Sequence, residues 1–134
     1  MTPDELRAIP LFSRASYESL ERLAQRGGEL ECEAGQLLAL HGDRGSGMFV
    51  VLEGNVSVEW PGGAVELGPG AFVGELTVLV PDVRRVARVR AATPVRCLAI
   101  AREDATELIE SEPTVALAML RELARRLATT LPGD

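Results

Sequence analysis

The chain has 134 residues, of which 46% are hydrophobic, 25% charged and 4% aromatic, and it contains 13 glycines and 8 prolines. This length suits a single domain, residues 1–134, that buries a core without metal or disulfide support, so a second domain and disorder are not expected. The net charge of -6 repels a phosphate backbone and argues against direct nucleic-acid binding.

The two cysteines, Cys32 and Cys97, lie far apart in apolar segments. We interpret them as small buried hydrophobic residues in a reducing compartment, and a disulfide between them is the less favoured alternative. The N-terminus has no basic lead followed by a long apolar run, and no segment approaches about eighteen uninterrupted apolar residues. We therefore expect a soluble cytoplasmic protein without direct membrane insertion.

Residues 1–27 predict two short helices. The run Thr2-Pro3-Asp4-Glu5 combines a capping hydroxyl, a proline at the first helical position and a glutamate three residues after the cap. A helix should begin there and stop before Pro10. Ser16 caps a second predicted helix, which runs through Arg26 and is closed by Gly27-Gly28.

Residues 28–100 alternate short apolar runs with glycine-containing turns, a pattern typical of an antiparallel sandwich or roll. The run Glu53-Gly54-Asn55 predicts a tight hairpin, because glycine and asparagine both tolerate positive φ. The simplest architecture is an eight-stranded antiparallel jelly-roll-like β-roll. Its strands are predicted at about 28–32, 36–41, 47–53, 55–60, 64–67, 70–72, 85–91 and 95–100.

Residues 101–131 return to a helical period and predict two C-terminal helices, which makes the fold mainly β with flanking helices. Glu103 and Asp104 suit the first turn of one helix, and Ser111-Glu112-Pro113 ends it and starts the next, at about 113–130. The last helix must cover either its own roll or a partner's helix, so a homodimer through it is one option. Its predicted apolar face comprises Ala116, Leu120, Leu123, Ala124, Leu127 and Leu131.

The segment from Gly70 to Ala91 carries the candidate binding chemistry. Gly74 allows backbone to approach a ligand, and the helical turn that begins at Glu75 presents free amides suited to an anion. Alternatively, Glu75 only stabilises a helix N-terminus through its charge. In the strand that follows, Arg85 shares one face with the small apolar residues Ala87, Val89 and Ala91, whereas Arg84, Val86, Arg88 and Arg90 share the other.

An inward arginine needs an anionic partner. For Arg85 that partner is either Glu75 or a bound ligand. Arg84, Arg88 and Arg90 are expected on a solvated face, and a charged strand end remains the alternative for Arg85.

The run F-V-G-E-L-T-V-L at 72–79, followed by R-V-A at 85–87, resembles the phosphate-binding cassette of the cyclic nucleotide-binding domain family. The resemblance continues outside the cassette, about 70–91, and covers about Ile9 to Leu127. The supporting runs are I-P-L-F-S at 9–13, E-A-G-Q at 33–36, H-G-D-x-G-x-x-M-F-V-V-x-E-G-x-V at 41–56 and E-P-T-V-A-L-x-M-L-x-E-L-A-R-R-L at 112–127.

The resemblance implies a sensor module that binds cAMP or cGMP, without metal, further cofactor or catalysis, and that couples binding to movement of its C-terminal helices. It implies that Glu75 accepts a hydrogen bond from the ribose 2′-hydroxyl and that Arg85 binds the cyclic phosphate. Arg121 and Arg125 are candidates to stack on or bond to the purine, with a purely solvated role as the alternative. The predicted ligand-binding set is Phe72, Val73, Gly74, Glu75, Leu76, Thr77, Arg84, Arg85, Val86, Ala87, Arg121 and Arg125.

Two features depart from the family pattern. Val86 stands where the family has Ser, Thr or Ala, so no hydroxyl is available for a guanine edge, and cAMP is favoured over cGMP. The apolar loop at 79–83 replaces a smaller and more polar one, and Arg84 could take the role of Arg85 if the register shifts by one. The hinge of the proposed movement is expected between Ile100 and Pro113.

Two rival functions differ in class. A cupin-like metal enzyme would need clustered ligands, whereas His41 is the only histidine and stands in a turn. A β-roll that has lost its nucleotide and acts through protein contacts is the stronger alternative, favoured by Val86 and opposed by Glu75 and Arg85. Pro132-Gly133-Asp134 after the last helix encode no helix-turn-helix, so DNA binding by these residues is not expected, and the sequence does not identify the effector.

Overall fold

A computed structural model describes residues 1–39, 47–80 and 87–130. Within these ranges the chain forms helices before and after a β-structure, as the sequence predicts. The predicted strand residues 40–41 and 85–86 lie outside the described ranges. The helices are α1 (Pro3–Arg7), a 3-10 turn (Pro10–Phe12), α2 (Tyr17–Arg26), α3 (Glu75–Leu79), α4 (Arg102–Ser111) and α5 (Pro113–Ala128).

Eight strands in the described part of the chain form two four-stranded antiparallel sheets, with the orders β1-β8-β3-β6 and β2-β7-β4-β5. The predicted β-roll is therefore confirmed. The strands are β1 (Gly28–Cys32), β2 (Leu37–Ala39), β3 (Gly47–Glu53), β4 (Val56–Trp60), β5 (Gly63–Leu67), β6 (Phe72–Val73), β7 (Arg88–Ala91) and β8 (Val95–Ala101).

Local signals in the sequence set several element ends. Thr2 and Glu5 form the predicted capping box at α1, and the Ser16 side chain accepts a hydrogen bond from the Ser19 amide at the start of α2. The hairpin between β3 and β4 turns at Gly54, whose φ of 84° is the left-handed conformation that glycine adopts without strain. A Cβ at Gly54 would lie 2.1 Å from the Pro94 carbonyl oxygen, so the loop before β8 also requires glycine here.

Strands β3 and β8 are buried on both faces. Val50 and Leu98 face a cluster that includes the helical residues Leu6, Phe12, Leu20, Val115 and Met119. Val51 and Cys97 face the opposite way and pack between the two sheets with Val56, Val73, Val89 and Ala91. Because side chains alternate along a strand, these two strands separate a helix-facing core from an inter-sheet core.

The cysteines behave as buried hydrophobic residues. Cys32 and Cys97 are both free thiols and both buried, so the alternative of a disulfide is not realised. Burial, and to a smaller extent the neighbouring Cys32, raise the pKa of Cys97 to about 11. At neutral pH this thiol is protonated and therefore a poor nucleophile.

No helix in the described ranges is long and apolar enough to cross a membrane.

The last helix turns its predicted apolar face only partly toward the roll. Val115 and Met119 are the buried residues of α5, and Leu123 of the predicted face is half-buried and packs against the helix-facing core. Leu120 and Leu127 are 63% and 60% exposed, and Leu131 lies outside the described residues. Leu120 and Leu127 therefore do not cover the roll.

The junction between α4 and α5 is tied to α2. The Glu112 carboxylate accepts hydrogen bonds from the Ser16 amide at 3.0 Å, the Ser16 hydroxyl at 2.9 Å and the Ser19 hydroxyl at 2.7 Å. Partial burial acts to raise the pKa of Glu112, but these hydrogen bonds outweigh it and hold the pKa below its ordinary value.

Two ion pairs fix α4 itself against α2. Arg22 pairs with Glu107, and Arg26 pairs with Asp104 at 3.1 Å. α4 is thus bound to the N-terminal helices along its length.

We expect Glu112→Gln to lower the free energy of unfolding by about 1–2 kcal/mol at neutral pH, since it weakens three hydrogen bonds to a charged acceptor. Because the folded-state pKa of Glu112 is lowered, its contribution is present above the ordinary value of 4.5 and lost as the pH falls through the folded-state value. Denaturant unfolding at neutral and acidic pH should therefore show the two proteins converging in acid. Glu110→Gln, on the exposed surface of α4, is the control and should match the wild type.

Candidate ligand-binding site

The site is built around the turn between β6 and α3. Gly74 follows Phe72–Val73 and takes a φ of 84°, which reverses the chain so that Glu75 begins α3. The Thr77 hydroxyl donates to the Gly74 carbonyl at 3.0 Å, and Thr77 is 1% exposed. This hydrogen bond within the turn stabilises it and fixes the position of Glu75.

Glu75 is a buried carboxylate, with 7% of its surface exposed. Arg126 of α5 approaches it, and the Arg126 Nη1 atom donates to Glu75 Oε1 at 3.2 Å. A buried carboxylate without compensation would be strongly destabilising. The last helix of the chain therefore supplies part of the charge balance of the turn.

Arg126 makes three further contacts. Its Nη2 atom donates to the Phe72 carbonyl at 2.9 Å, and its guanidinium lies 4.6 Å from the centroid of the Phe72 ring. Its Nε atom donates to Glu122 at 3.1 Å. Burial acts to raise the pKa of Glu122, but hydrogen bonds from Arg125 and Arg126 hold it below the ordinary value. The guanidinium thus joins α5 to the turn by charge, hydrogen bonds and ring contact together.

A cavity of about 280 Å³ opens beside this turn. Its size is close to the lower end of the range of about 300–1,000 Å³ that small-molecule sites occupy. The described residues around it come from β4, β5, β6 and the turn that follows it, α3, the residue before β7, β7 itself and the end of α5. They are Val58, Trp60, Val65, Leu67, Val73, Gly74, Glu75, Leu76, Thr77, Ala87, Val89, Arg126, Thr129 and Thr130.

The structure brings one half of the predicted ligand-binding set together. Val73, Gly74, Glu75, Leu76, Thr77 and Ala87 line the cavity, and Phe72 lies buried under the Arg126 guanidinium. Of the described residues of the strand after the break, Val89 and Ala91 are buried and Arg88 is exposed, as predicted, whereas Arg90 is half-buried and donates to the Gly35 carbonyl at 2.9 Å. Arg84, Arg85 and Val86 lie outside the described residues, so their roles stay predictions.

Arg121 and Arg125 are not among the lining residues. Arg121 is exposed, and the side chain of Arg125 is 69% exposed and bonds to Glu122 at 2.9 Å. These two arginines were predicted to contact the purine because they stand one turn apart, and Arg126 was missed. The signal was present, since Val115, Met119, Glu122 and Arg126 recur at spacings of three and four and mark the inner stripe of α5.

Within residues 1–39, 47–80 and 87–130, no group of histidine, cysteine or acidic side chains is placed to hold a metal ion. His41 lies outside these ranges.

The chain belongs to the cyclic nucleotide-binding domain family, because the family model described as "Cyclic nucleotide-binding domain" matches residues 29–112. A cyclic nucleotide-gated potassium channel of Mesorhizobium japonicum is 38% identical over 109 residues, which is 81% of this chain. The chain spans only 30% of that channel's length. The domain is thus one that larger regulated proteins also contain.

Solved structures of regulatory proteins share the fold. A catabolite activator protein of Thermus thermophilus superposes with a TM-score of 0.72 at 28% identity, covering 90% of this chain and 59% of that one. A protein kinase A regulatory subunit of Trypanosoma brucei, described as cAMP-independent, gives a TM-score of 0.76 at 28% identity and covers 87% of this chain and 44% of that one. The family is one of nucleotide-binding regulatory domains.

We expect Arg126→Gln to lower the free energy of unfolding by about 1–3 kcal/mol, because it leaves the buried Glu75 short of a cationic partner. Amide hydrogen exchange in the last turns of α5 should become faster at the same time. The neighbouring Arg125→Gln, which removes an exposed ion pair to the same Glu122, should cost at most about 1 kcal/mol. Equal stability and equal exchange in the two variants would show that Arg126 does not hold α5.

Proposed function

We propose that this domain binds a cyclic nucleotide, cAMP in preference to cGMP, and that binding shifts the position of its C-terminal helices in a cytoplasmic regulatory protein. The observation that carries the proposal is the cavity itself. It is lined by the buried carboxylate of Glu75, which follows the left-handed turn at Gly74, and by residues at the end of α5. Family membership supplies the class of ligand.

Glu75 is suited to the ribose end of the ligand. A carboxylate has about four lone-pair positions, so a 2′-hydroxyl can donate to Glu75 while Arg126 keeps its bond to Oε1. A ligand with a 2′-deoxyribose would lose that hydrogen bond to a charged acceptor, which contributes about 1.5–3 kcal/mol. The cyclic phosphate is assigned to Arg85, by its place in the cassette sequence.

The preference for cAMP is inferred from Val86, which offers no hydroxyl to a guanine edge. The main alternative remains a β-roll that acts through protein contacts alone. In support of that alternative, the fold also occurs in the regulatory subunit of a trypanosome protein kinase A that is described as cAMP-independent.

The proposed coupling between ligand binding and the position of α5 follows from the residues that line the cavity. Its apolar side belongs to the roll, whereas Arg126, Thr129 and Thr130 belong to α5 and the residues just after it. A ligand that contacts both will favour the α5 position that fits it best, by its differential affinity for the two states. Since α4 is paired with α2, we place the pivot near Glu112, inside the predicted hinge of 100–113.

Dimerisation through α5 stays a prediction. Leu117, Leu120 and Leu127 are exposed and stand three and seven residues apart, a spacing that places them on one side of the helix. Such a stripe would suit a second copy of α5. The effector protein or domain is not identified.

Calorimetric titration with cAMP and cGMP tests the binding proposal. We expect heat from both ligands and the higher affinity for cAMP; the absence of heat from either at high micromolar concentration would contradict nucleotide binding. Arg85→Leu should weaken cAMP binding by at least ~2 kcal/mol, about thirtyfold, because it removes a charge-assisted contact to phosphate. Arg84→Leu is the matched control and should bind nearly normally. The opposite pattern would move the phosphate contact to Arg84.

Spin-label distances test the coupling. Labels on Ala124→Cys in α5 and Glu66→Cys in β5 should change their separation when cAMP saturates the protein, and both positions are exposed. Labels on Glu103→Cys in α4 and Glu66→Cys should change less, because α4 is paired with α2. The native cysteines are buried and should remain unlabelled. If saturating cAMP leaves the α5 distance unchanged, the domain binds without moving α5.

A further inference from the structure

Trp60 is the only tryptophan of the chain, and it stands at the end of β4 on the rim of the cavity. It is 41% exposed, although large aromatic side chains are usually well covered. A partly exposed indole at the mouth of an apolar cavity offers area to a ligand at a small cost in conformational entropy, since its side chain has only two rotatable bonds. The proposed roles of the cassette make no use of it.

Gly63 gives the indole its position. Trp60 pairs with Gly63 across the β4–β5 ladder, and a Cβ built on Gly63 would lie 2.9 to 3.1 Å from the indole atoms Cζ2, Cε2 and Nε1. Real Cβ atoms rarely come so close to a neighbour, so any other residue at 63 would push the ring away. The indole therefore lies directly over the backbone of the partner strand, which supports it from one side.

The wall that continues from Trp60 is apolar. Val58 stands two residues before Trp60 on the same face of β4, and it pairs with Val65 of β5. Leu67 and Val89 extend the wall along β5 and β7. This side of the cavity belongs to one sheet, β7-β4-β5, and presents aliphatic groups and one indole.

Polar side chains enter the cavity from the other elements, and the threonine hydroxyls at the end of α5 already donate to backbone carbonyls. The Thr129 hydroxyl donates to the Arg126 carbonyl at 2.7 Å, and the Thr130 hydroxyl donates to the Leu127 carbonyl at 2.8 Å. Arg126 is bonded to Glu75, Phe72 and Glu122. The two threonines would have to give up existing hydrogen bonds to donate to the edge of a base, and the three bonds of Arg126 fix the direction of its guanidinium.

We propose that Trp60 is the stacking surface for the base of the nucleotide, held in place by Gly63. The inference rests on the proposed function and adds a determinant of specificity to the same cavity. Stacking depends on the area of the base and not on its hydrogen-bonding edge. Trp60 therefore selects purines over pyrimidines and adds little to the choice between adenine and guanine, which is left to the cassette.

The single tryptophan makes the test direct. The probes are cAMP, cGMP and cCMP, titrated into the full chain while tryptophan fluorescence and binding heat are recorded. Both purine nucleotides should change the indole emission at saturation, and cCMP should bind more weakly than either. Trp60→Leu should lower the affinity for cAMP and for cGMP by a similar factor of about ten, and Trp60→Phe should keep most of the affinity for both.

Two further variants separate stacking from general damage. Gly63→Ala keeps the indole but displaces it, so its affinity should fall and its emission change on ligand addition should shrink. Tyr17→Leu removes an exposed aromatic side chain of α2, which is 57% exposed and does not line the cavity, and it should behave as the wild type. Circular dichroism of each variant confirms that the fold is retained.

The outcomes distinguish this inference from the binding proposal. If the wild type gives heat with cAMP but its emission does not change, or if Trp60→Leu keeps the wild-type affinity, Trp60 is not a stacking surface and nucleotide binding stands. A Trp60→Leu variant that alters the ratio of cAMP to cGMP affinity would also overturn stacking, since it would indicate edge recognition. If no nucleotide gives heat with the wild type, both inferences fail.

Discussion

A buried carboxylate links the two parts of this molecule. Glu75 lies at the start of α3 with 7% of its surface exposed, and desolvation of a charge at that depth must be compensated. Arg126, 51 positions later in the chain, contributes to that compensation and also bonds to the Phe72 carbonyl and covers the Phe72 ring. The position of α5 and the charge balance of the turn are therefore energetically coupled. A change in the hydrogen-bond partners of Glu75 would therefore also change the contacts that hold α5 in place.

The remainder of the fold limits where movement can occur. β3 and β8 are buried on both faces, so a shift of either strand would disturb the helix-facing core and the inter-sheet core together. α4 is paired with α2 through Arg22 and Arg26. α5 is different, because its buried contacts are concentrated at Val115 and Met119 near its start, while its far end is held by Arg126. A switch in this domain would use that far end.

The cavity has two chemical sides that come from two parts of the fold. The turn at Gly74 and the end of α5 bring charge and hydroxyl groups, whereas the sheet β7-β4-β5 brings an apolar wall that ends in Trp60. This division suits a ligand with a polar sugar at one end and a planar base at the other. It also separates the two proposed tasks of recognition, with the polar side assigned to the sugar and the apolar side to the base.

Short-range sequence signals were enough to predict the local features. Caps at Thr2 and Ser16, the hairpin at Gly54 and the strand periods depend on residues close together in the chain, and short-range sterics and hydrogen bonding decide them. The family motif likewise identified the turn at Gly74 and Glu75, because a contiguous run carries it.

Which arginine of α5 contacts Glu75, and which face of α5 is exposed, became known only from the packing of the helix in the fold. Arg121, Arg125 and Arg126 have the same chemistry, and their places depend on how the helix packs on the roll. Trp60 shows the same limit, since its position and the role proposed for it depend on the pairing of β4 with β5 and on Gly63 opposite it. The physical reason is that helix rotation and cavity walls are set by contacts distant in sequence, which local patterns do not encode.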